Sequence, residues 1–390
     1  MRDGAGDLAL VLTGGGARAA YQAGLLAGIA ERFPDLAIQI LTGVSAGAIN
    51  AAHLAAHPGG LKSAVDDLVR LWSGLTVDQV FRVGPGSLGR NVVRWGTRLL
   101  SGGSPGAPQV RGLVDTSPLR RFLEIVLDAR DGRPIPGIRE NLERGGLKAV
   151  AVVTTSYTTG QTVVWVQGRE IRLWTRPQRR SAHAELTVDH VMASAALPLF
   201  FPAVQIGNAW YGDGGIRLAA PLSPALHLGA SRILAISTRY DRSGAEADTP
   251  AIAGYPPPAQ VLGVLLNAIF LDLIDQDALR LERLNRLLER LPEDQRDGMR
   301  IVELMVLRPS VDLGRLAREF EPRLPRAFRF LTRGLGTRET SSPDALAMVM
   351  FQPDYLQRVI EVGRADAEAR ADEIAAFLAP DRVVHAGGVR

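Results

Sequence analysis

The 390-residue sequence predicts an α/β fold with a mostly parallel central sheet. The apolar run Leu8–Leu12 shows no polar alternation and is followed by a glycine-rich turn and a helical pattern. A β-branched run over 38–42 leads into a second turn and helix in the same way. Such runs are typical of parallel strands covered on both faces. A proline-rich segment over 239–258 separates this α/β part from a mostly helical remainder over 259–390.

The composition limits the redox and partner chemistry of the chain. Because the sequence contains no cysteine, disulfides, cysteine nucleophiles and thiolate metal sites are excluded. The formal net charge of +4 rests on arginine, since Lys62 and Lys148 are the only lysines. Acidic residues are interleaved along the chain, so nucleic acid is not an expected partner, whereas an acidic membrane surface stays open as one.

Neither a signal peptide nor a membrane span is predicted. The start of the sequence lacks a charged segment followed by an apolar core. The longest apolar stretch, over 261–274, is shorter than a bilayer span and is interrupted by Asn267 and Asp272. The expectation is a cytoplasmic protein, and peripheral contact at the inner membrane surface stays open.

The first βα unit carries a glycine run, Thr13-Gly-Gly-Gly-Ala-Arg-Ala-Ala20. Successive amides at a helix N-terminus form an anion cradle, and three interpretations of it compete. A phosphate loop would end in Gly-Lys-Ser/Thr, and a dinucleotide fingerprint would have a glycine where Ala19 stands. The third is an oxyanion hole, which stabilises the charge on a reacting carbonyl oxygen. Arg18 either fixes this loop or adds positive potential to it, or it is an ordinary surface arginine.

The second βα unit carries Gly43-Val-Ser-Ala-Gly47 between a predicted strand and a predicted helix over 46–56. A serine in this context is typical of a nucleophile elbow, whose tight turn leaves no room for side chains at Gly43 and Gly47. The helix N-terminus beyond Ser45 favours a developing anion. The same pattern also describes a strand-to-helix loop with a capping serine.

A glycine-, serine- and proline-rich region over 81–108 contains one amphipathic segment. Arg90, Arg94 and Arg98 recur every four residues and share one face of a predicted helix, beside Trp95. A basic face with a tryptophan fits a lid that contacts a membrane surface. The alternative is a surface helix packed on the core.

Farther along, strands are predicted over 147–156, 162–167 and 170–175, the last two as a hairpin. The segment Gly212-Asp-Gly-Gly215 then places Asp213 in a turn, with glycines on both sides that leave its carboxylate unobstructed. The same residues are also ordinary turn chemistry.

The histidines offer no clear catalytic base. A Ser-His-Asp hydrolase would place a histidine after the aspartate, which leaves His227 and His385, neither in a distinctive motif. His53 and His57 share a helix face, but no third ligand follows, so a metal site is not expected. A carboxylate within hydrogen-bond distance of Ser45 could take its proton instead.

Four blocks together resemble the patatin-like phospholipases, a family of lipid acyl hydrolases. In the family's order they are Gly14-Gly-Gly-Ala-Arg18, Gly43-Val-Ser-Ala-Gly47, Ala193-Ser-Ala-Ala-Leu-Pro198 and Asp213-Gly-Gly215. The resemblance covers residues 8 to about 240, and Ala19 is a small departure from the family's pattern. It implies a three-layer α/β/α fold with a central, mostly parallel sheet. A catalytic domain over 1–240 would be followed by a helical C-terminal region over 259–390 packed on it.

The resemblance also implies the chemistry. Ser45 would be the nucleophile and Asp213 its general base, in a Ser–Asp dyad that needs no histidine. The amides of Gly14, Gly15 and Gly16 would form the oxyanion hole, with Arg18 supporting the loop. The block over 193–198 would pack beside the site.

Such an enzyme cleaves fatty-acyl esters of phospholipids or other lipids in two steps and requires no metal or organic cofactor. One alternative is a non-catalytic or regulatory protein that binds lipid at a membrane surface through the helix containing Arg90, Arg94, Trp95 and Arg98. Another is a histidine-dependent hydrolase that uses His227. The oligomeric state is not predicted.

Overall fold

The structure is a computed structural model that describes residues 7–82, 97, 112–250, 252, 254–270, 273–334, 336–340 and 343–379. The predicted basic helix with Arg90, Arg94, Trp95 and Arg98 lies outside the described residues.

The strands are β1 (Leu8–Leu12), β2 (Ile40–Val44), β3 (Ala149–Ser156), β4 (Thr162–Gly168), β5 (Thr175–Arg176), β6 (Arg179–His183), β7 (Val204–Ile206), β8 (Ala209–Asp213), β9 (Arg232–Ile236) and β10 (Glu303–Leu307). The helices are α1 (Ala20–Arg32), α2 (Ala46–Ala56), α3 (Leu61–Ser73), α4 (Val77–Val80), α5 (Ser117–Val126), α6 (Pro136–Arg144), α7 (Val188–Ser194), α8 (Ser223–His227), α9 (Gly244–Ala247), α10 (Pro258–Phe270), α11 (Leu273–Leu288), α12 (Leu313–Phe320), α13 (Arg326–Gly334), α14 (Asp344–Val349), α15 (Pro353–Ala369) and α16 (Ala371–Leu378).

One mixed sheet organises these elements, in the order β10-β9-β1-β2-β3-β4-β6-β5. The five strands from β10 to β3 are all parallel to their neighbours. Beyond them β4 is antiparallel to β3, and the short strand β8 also pairs antiparallel with the end of β3. The mixed α/β class with a central, mostly parallel sheet is therefore confirmed.

Helices cover both faces of the sheet because its strands are apolar on both sides. In β1, Leu8, Leu10 and Leu12 belong to one hydrophobic core, whereas Ala9 and Val11 belong to another. Residues of α1, α2, α3 and α15 complete the first core, and residues of α8 and α11 complete the second. The result is three layers, helices–sheet–helices.

One strand prediction is wrong. The segment over 170–175 does not form a hairpin with 162–167, because only Thr175–Arg176 is extended and it pairs with β6. The inner neighbour of β4 is β3, and its outer neighbour β6 runs parallel to it.

The C-terminal region takes part in the same cores. Its strand β10 extends the sheet beside β9. Helix α15 crosses α1 at backbone contact, because a Cβ at Gly24 would lie only 2.0 Å from the carbonyl oxygen of Ile360. A Cβ at Gly363 would likewise lie only 2.4 Å from the carbonyl oxygen of Tyr21. A division near residues 240–258 stays a prediction.

The α10–α11 segment has an apolar surface. By length and composition alone, Pro258–Leu288 could cross a membrane, and only 20% of its most apolar window is buried. This is longer than the stretch over 261–274 on which the sequence expectation rested. Val264 and Leu265 of α10 are exposed. The segment thus presents an apolar helical face to solvent.

Candidate active site

Ser45 lies in a strained turn between β2 and α2. Its backbone has φ 57° and ψ −131°, a conformation that residues other than glycine rarely adopt. The turn is compressed on both sides: a Cβ at Gly43 would lie 2.4 Å from the oxygen of Gly47, and a Cβ at Gly47 would lie 2.3 Å from that of Leu12. Neither position has room for a side chain, so the sequence Gly-x-Ser-x-Gly is sterically required here.

A second serine holds the backbone of this turn. The buried hydroxyl of Ser194, at the end of α7, accepts a hydrogen bond from the amide of Ser45 at 3.0 Å. The same hydroxyl donates to the carbonyl oxygen of Val153 in β3 at 2.6 Å. The sequence predicted that the block over 193–198 packs beside the site, but it did not indicate this bond. Ser194 therefore fixes the strained turn to the central sheet.

The ends of two strands bring Ser45 and Asp213 together. Both β2 and β8 pair with the side of β3 that β4 leaves free: Val44 of β2 is opposite Val153, and Asp213 of β8 is opposite Thr154. The two strands run in opposite directions, so they meet end to end. The residue that follows β2 therefore faces the residue that ends β8.

Burial makes the carboxylate of Asp213 unusually basic. The side chain is fully buried, and burial raises its pKa to about 7. The hydroxyl of Ser45 and the amide of Gly215, which donates to Oδ1 at 2.9 Å, act in the opposite direction and favour the charged form. Oδ2 has no hydrogen-bond partner within the described part of the chain. A buried carboxylate oxygen of raised pKa can accept a proton from a neighbouring hydroxyl.

The glycine loop lies directly beside Ser45. A Cβ at Gly14 would lie 2.9 Å from that of Ser45, and Gly16 and Ser45 line the same cavity. Gly15 and Gly16 have φ values of 146° and 58°, which glycine adopts without strain. Within the described ranges, the amides of these three glycines donate no hydrogen bond. The loop thus combines free donors with the start of a helical segment, which suits it to an anion.

The oxygen of Gly14 is held from β9. Thr238, just after that strand, donates from Oγ1 to this carbonyl at 2.6 Å. Thr238 also leaves no space for a side chain at Gly15, where a Cβ would lie 2.3 Å from the same Oγ1. The bond turns the carbonyl of Gly14 toward β9 and fixes the loop at its first glycine.

Arg18 is buried, which rules out the surface-arginine interpretation. Its side chain is 3% exposed and forms an ion pair with the carboxylate of Asp344 in α14. It also donates to the backbone oxygen of Asp344 at 2.9 Å. The other carboxylate oxygen of Asp344 accepts from the side-chain amide of Asn267 in α10 at 2.6 Å. Arg18 therefore ties the glycine loop to two helices of the C-terminal region.

The histidines have other contacts. His227 hydrogen-bonds to the backbone oxygen of Ser223 at 2.8 Å and stacks on Trp174, with ring centroids 4.6 Å apart. His53 contacts the backbone oxygen of Ala64 at 3.0 Å, and burial lowers its pKa. His385 lies outside the described residues. No group of three potential metal-ligating side chains occurs among the residues that the structure describes.

An apolar cavity opens at Ser45. It is narrow, about 60 Å³, and extends between α2, α3 and α5. Gly16, Ser45 and Ala195 line it beside the serine turn, and His53 lines it about two helical turns farther along α2. The remaining lining residues are almost all apolar: Ala46, Ile49, Leu68, Leu71, Trp72, Leu75, Val80, Leu119, Phe122, Leu123, Val126, Leu127, Phe201 and Phe351.

The combination of these groups is characteristic of one class of α/β protein. A serine elbow, a buried aspartate and a glycine loop meet at the carboxyl edge of a mostly parallel sheet. The chain belongs to the patatin-like phospholipase family, whose family model matches residues 10–226. Among curated proteins, no significant match is found.

Several solved structures are similar to this chain at low sequence identity. Human GIVD cytosolic phospholipase A2, in complex with methyl gamma-linolenyl fluorophosphonate, is 14% identical with a TM-score of 0.46, over 96% of this chain and 59% of that one. VipD from Legionella pneumophila is 15% identical with a TM-score of 0.36, and the match covers 96% of this chain and 66% of VipD. The type III effector ExoU is 15% identical with a TM-score of 0.38, over 94% and 53%. The chain thus spans less than two thirds of the length of each of these proteins.

Proposed function

We propose that this protein is a serine acyl hydrolase that cleaves fatty-acyl esters of phospholipids or other lipids. The observation that carries the proposal is the end-to-end meeting of β2 and β8, which brings the hydroxyl of Ser45 next to the basic carboxylate of Asp213. A buried carboxylate with a pKa near neutrality is suited to general-base catalysis. The family of the chain supports the same chemistry.

In the proposed mechanism, Asp213 takes the proton of Ser45 as Oγ attacks the ester carbonyl carbon. The amides of Gly14, Gly15 and Gly16 stabilise the oxyanion of the tetrahedral intermediate. Collapse breaks the ester bond, and the leaving alcohol takes the proton from Asp213. Water then gives a proton to Asp213 and attacks the acyl-serine ester. The second collapse releases the fatty acid and returns the proton to Ser45.

The apolar cavity supports a fatty-acyl substrate. Its lining offers almost no hydrogen-bonding partner to a polar substrate, and it is too narrow for a bulky group. An alkyl chain attached to a carbonyl at Ser45 fits both properties. We propose that the protein acts in the cytoplasm at the inner membrane surface, where such substrates lie, with the segment containing Arg90, Arg94, Trp95 and Arg98 as one peripheral contact.

The test measures hydrolysis of a short-chain p-nitrophenyl ester and of phospholipid vesicles. We expect Ser45→Ala to abolish turnover and Asp213→Asn to lower kcat by about 10²-fold or more. Asp277→Asn is the matched control, because Asp277 is half-buried, accepts a backbone hydrogen bond at 2.8 Å from Leu222 and also has a pKa raised by burial. This control should keep full activity.

Two results would contradict the proposal. Loss of activity in His227→Ala, with retention in Asp213→Asn, would replace the dyad by a histidine-dependent mechanism. Vesicle binding by folded wild-type protein, without hydrolysis of either substrate, would favour the non-catalytic lipid-binding alternative.

A further inference from the structure

The apolar cavity follows one face of α2 away from Ser45. Ser45, Ile49 and His53 all line it, and their spacing of four residues places them on one side of the helix. With a rise of 1.5 Å per residue, the distance along the helix from Ser45 to His53 is about 12 Å. An acyl chain on the hydroxyl of Ser45 would enter at the first turn of α2 and extend toward His53.

Four residues close the far end of the cavity: His53, Leu71, Val126 and Leu127, hereafter the end wall. The same four residues also line a surface depression of about 570 Å³ on the other side. That depression carries charged side chains, because Asp67, Arg70 and Glu140 contribute to it together with His57. The end wall therefore separates an apolar cavity from a more polar, open surface.

The parts of the end wall differ in how firmly they are held. His53 is buried and anchored to the carbonyl oxygen of Ala64 at 3.0 Å. Leu127 is buried at the end of α5. Leu71 and Val126 are half-buried, so they form the thinner part of the wall.

We propose that the end wall sets the length of the acyl chain that the protein accepts, and that Leu71 is the residue that closes the cavity. This inference rests on the proposed function, because it needs an acyl chain bound at Ser45. A chain shorter than the cavity leaves apolar surface unburied, and a longer chain must place methylenes outside it. Each methylene that the cavity buries raises kcat/KM by about four-fold, whereas a methylene beyond its length must push against the end wall, which costs packing energy. The activity should therefore have an optimum in chain length.

Two substitutions should move this optimum in opposite directions. Leu71→Ala removes the thin part of the wall and should shift the optimum to longer chains, with a rise of about ten-fold in the ratio of long-chain to short-chain kcat/KM. Ile49→Phe fills the cavity halfway along α2 and should shift the optimum to shorter chains. Because the two variants alter packing in opposite ways, a folding defect in one leaves the other as a test.

The experiment measures kcat/KM for p-nitrophenyl esters from butyrate to palmitate. Leu54→Ala is the matched control, because Leu54 is also a half-buried leucine but lies in α2 and lines a different depression. This control should keep the wild-type profile. If the wild type is active and the folded Leu71→Ala and Ile49→Phe proteins both keep its chain-length optimum, the inference is wrong but the proposed function stands. Wild type that hydrolyses no ester would overturn the proposed function and the inference with it.

Discussion

At the residue level, the site keeps Ser45 and Asp213 in states that neither would adopt alone. The backbone of Ser45 has a positive φ, which costs on the order of 1–3 kcal/mol. The carboxylate of Asp213 has no contact with solvent, and only one of its oxygens accepts a hydrogen bond from a described residue. The surrounding strands and the bond from Ser194 hold both residues in place. The same features that destabilise the fold place Ser45 at the apolar cavity and make the carboxylate basic.

The first prediction concerns pH. Burial raises the pKa of Asp213 to about 7, and a general base must be deprotonated to act. We expect log kcat/KM to rise with a slope of about one below pH 7 and to level off above it. The measurement is a pH–rate profile with a short-chain ester whose solubility does not change with pH. A flat profile between about pH 5 and pH 9 would show that Asp213 does not act as the base.

The second prediction tests Ser194 as a positioning residue. Ser194→Ala leaves the buried amide of Ser45 without its acceptor, which should cost about 1–3 kcal/mol in the free energy of unfolding. We expect kcat to fall about ten-fold with little change in KM, because the strained turn loses its anchor but the acyl cavity does not change.

Ser181→Ala is the control for this variant. The hydroxyl of Ser181 is also buried and accepts a backbone hydrogen bond, from Trp174 at 2.7 Å, but it lies in β6. Its loss should lower stability and leave kcat unaltered. Equal kcat values for the two variants would show that Ser194 is only structural.

At the level of elements, the glycine loop depends on helices far along the chain. Arg18 follows the loop and pairs with Asp344 at the start of α14. Gly16 is also pressed against α14, since a Cβ there would lie 2.0 Å from the oxygen of Met348. Asn267 joins α10 to the same carboxylate. The loop is therefore positioned from one side by β9 and from the other by α10 and α14.

The third prediction follows from this connection. Asp344→Ala leaves the buried guanidinium of Arg18 unpaired, which should cost about 3–5 kcal/mol in the free energy of unfolding and lower kcat. Asn267→Ala removes only one hydrogen bond to Asp344 and should have a smaller effect in the same direction. Thermal unfolding and kcat of both variants are the measurements.

An exposed ion pair provides the control. Asp354 pairs with Arg323, and both side chains are 60% exposed. Asp354→Ala should change the free energy of unfolding by less than about 1 kcal/mol. A catalytic rate in Asp344→Ala equal to that of the wild type would show that the loop does not need this pair.

At the level of the whole molecule, the described C-terminal segments complete both the sheet and the core. A fragment ending at residue 250 would lose β10, which pairs with β9, and α15, which covers α1. We therefore expect the fragment to lack a cooperative thermal transition and esterase activity, although it contains Ser45 and Asp213. Circular dichroism and the ester assay compare it with the full chain. A folded, active fragment would show that residues 1–240 form an independent domain.

Much of this architecture could be predicted from the sequence. The strands β1 and β2 were recognisable because parallel strands are apolar throughout, and the elbow because its steric limits require glycine at Gly43 and Gly47. The proposed role of Asp213 came from the family's pattern. The glycines next to Asp213 in the sequence indicate only a turn. Its proximity to Ser45 depends on how β2 and β8 pair with β3.

The sequence could not reveal the partners of Arg18 or Ser194. Arg18 and Asp344 are 326 positions apart, and no local pattern joins them. Asn267 did stand out as a polar residue within an apolar stretch, but nothing nearby indicated its bond to Asp344. The short strand β5 was misplaced because the segment over 170–175 has strand-like composition but pairs over only two residues. Long-range pairing decided each of these features.

The long separation between Arg18 and Asp344 has a consequence for biosynthesis. At 5–20 residues per second, a ribosome needs about 16 to 65 s to add the 326 residues between them. During that time the glycine loop and Ser45 have left the ribosome, but α14 has not yet been made. The nascent chain therefore cannot complete the contacts of its glycine loop before α14 has been synthesised, and we expect no ester hydrolysis before that point.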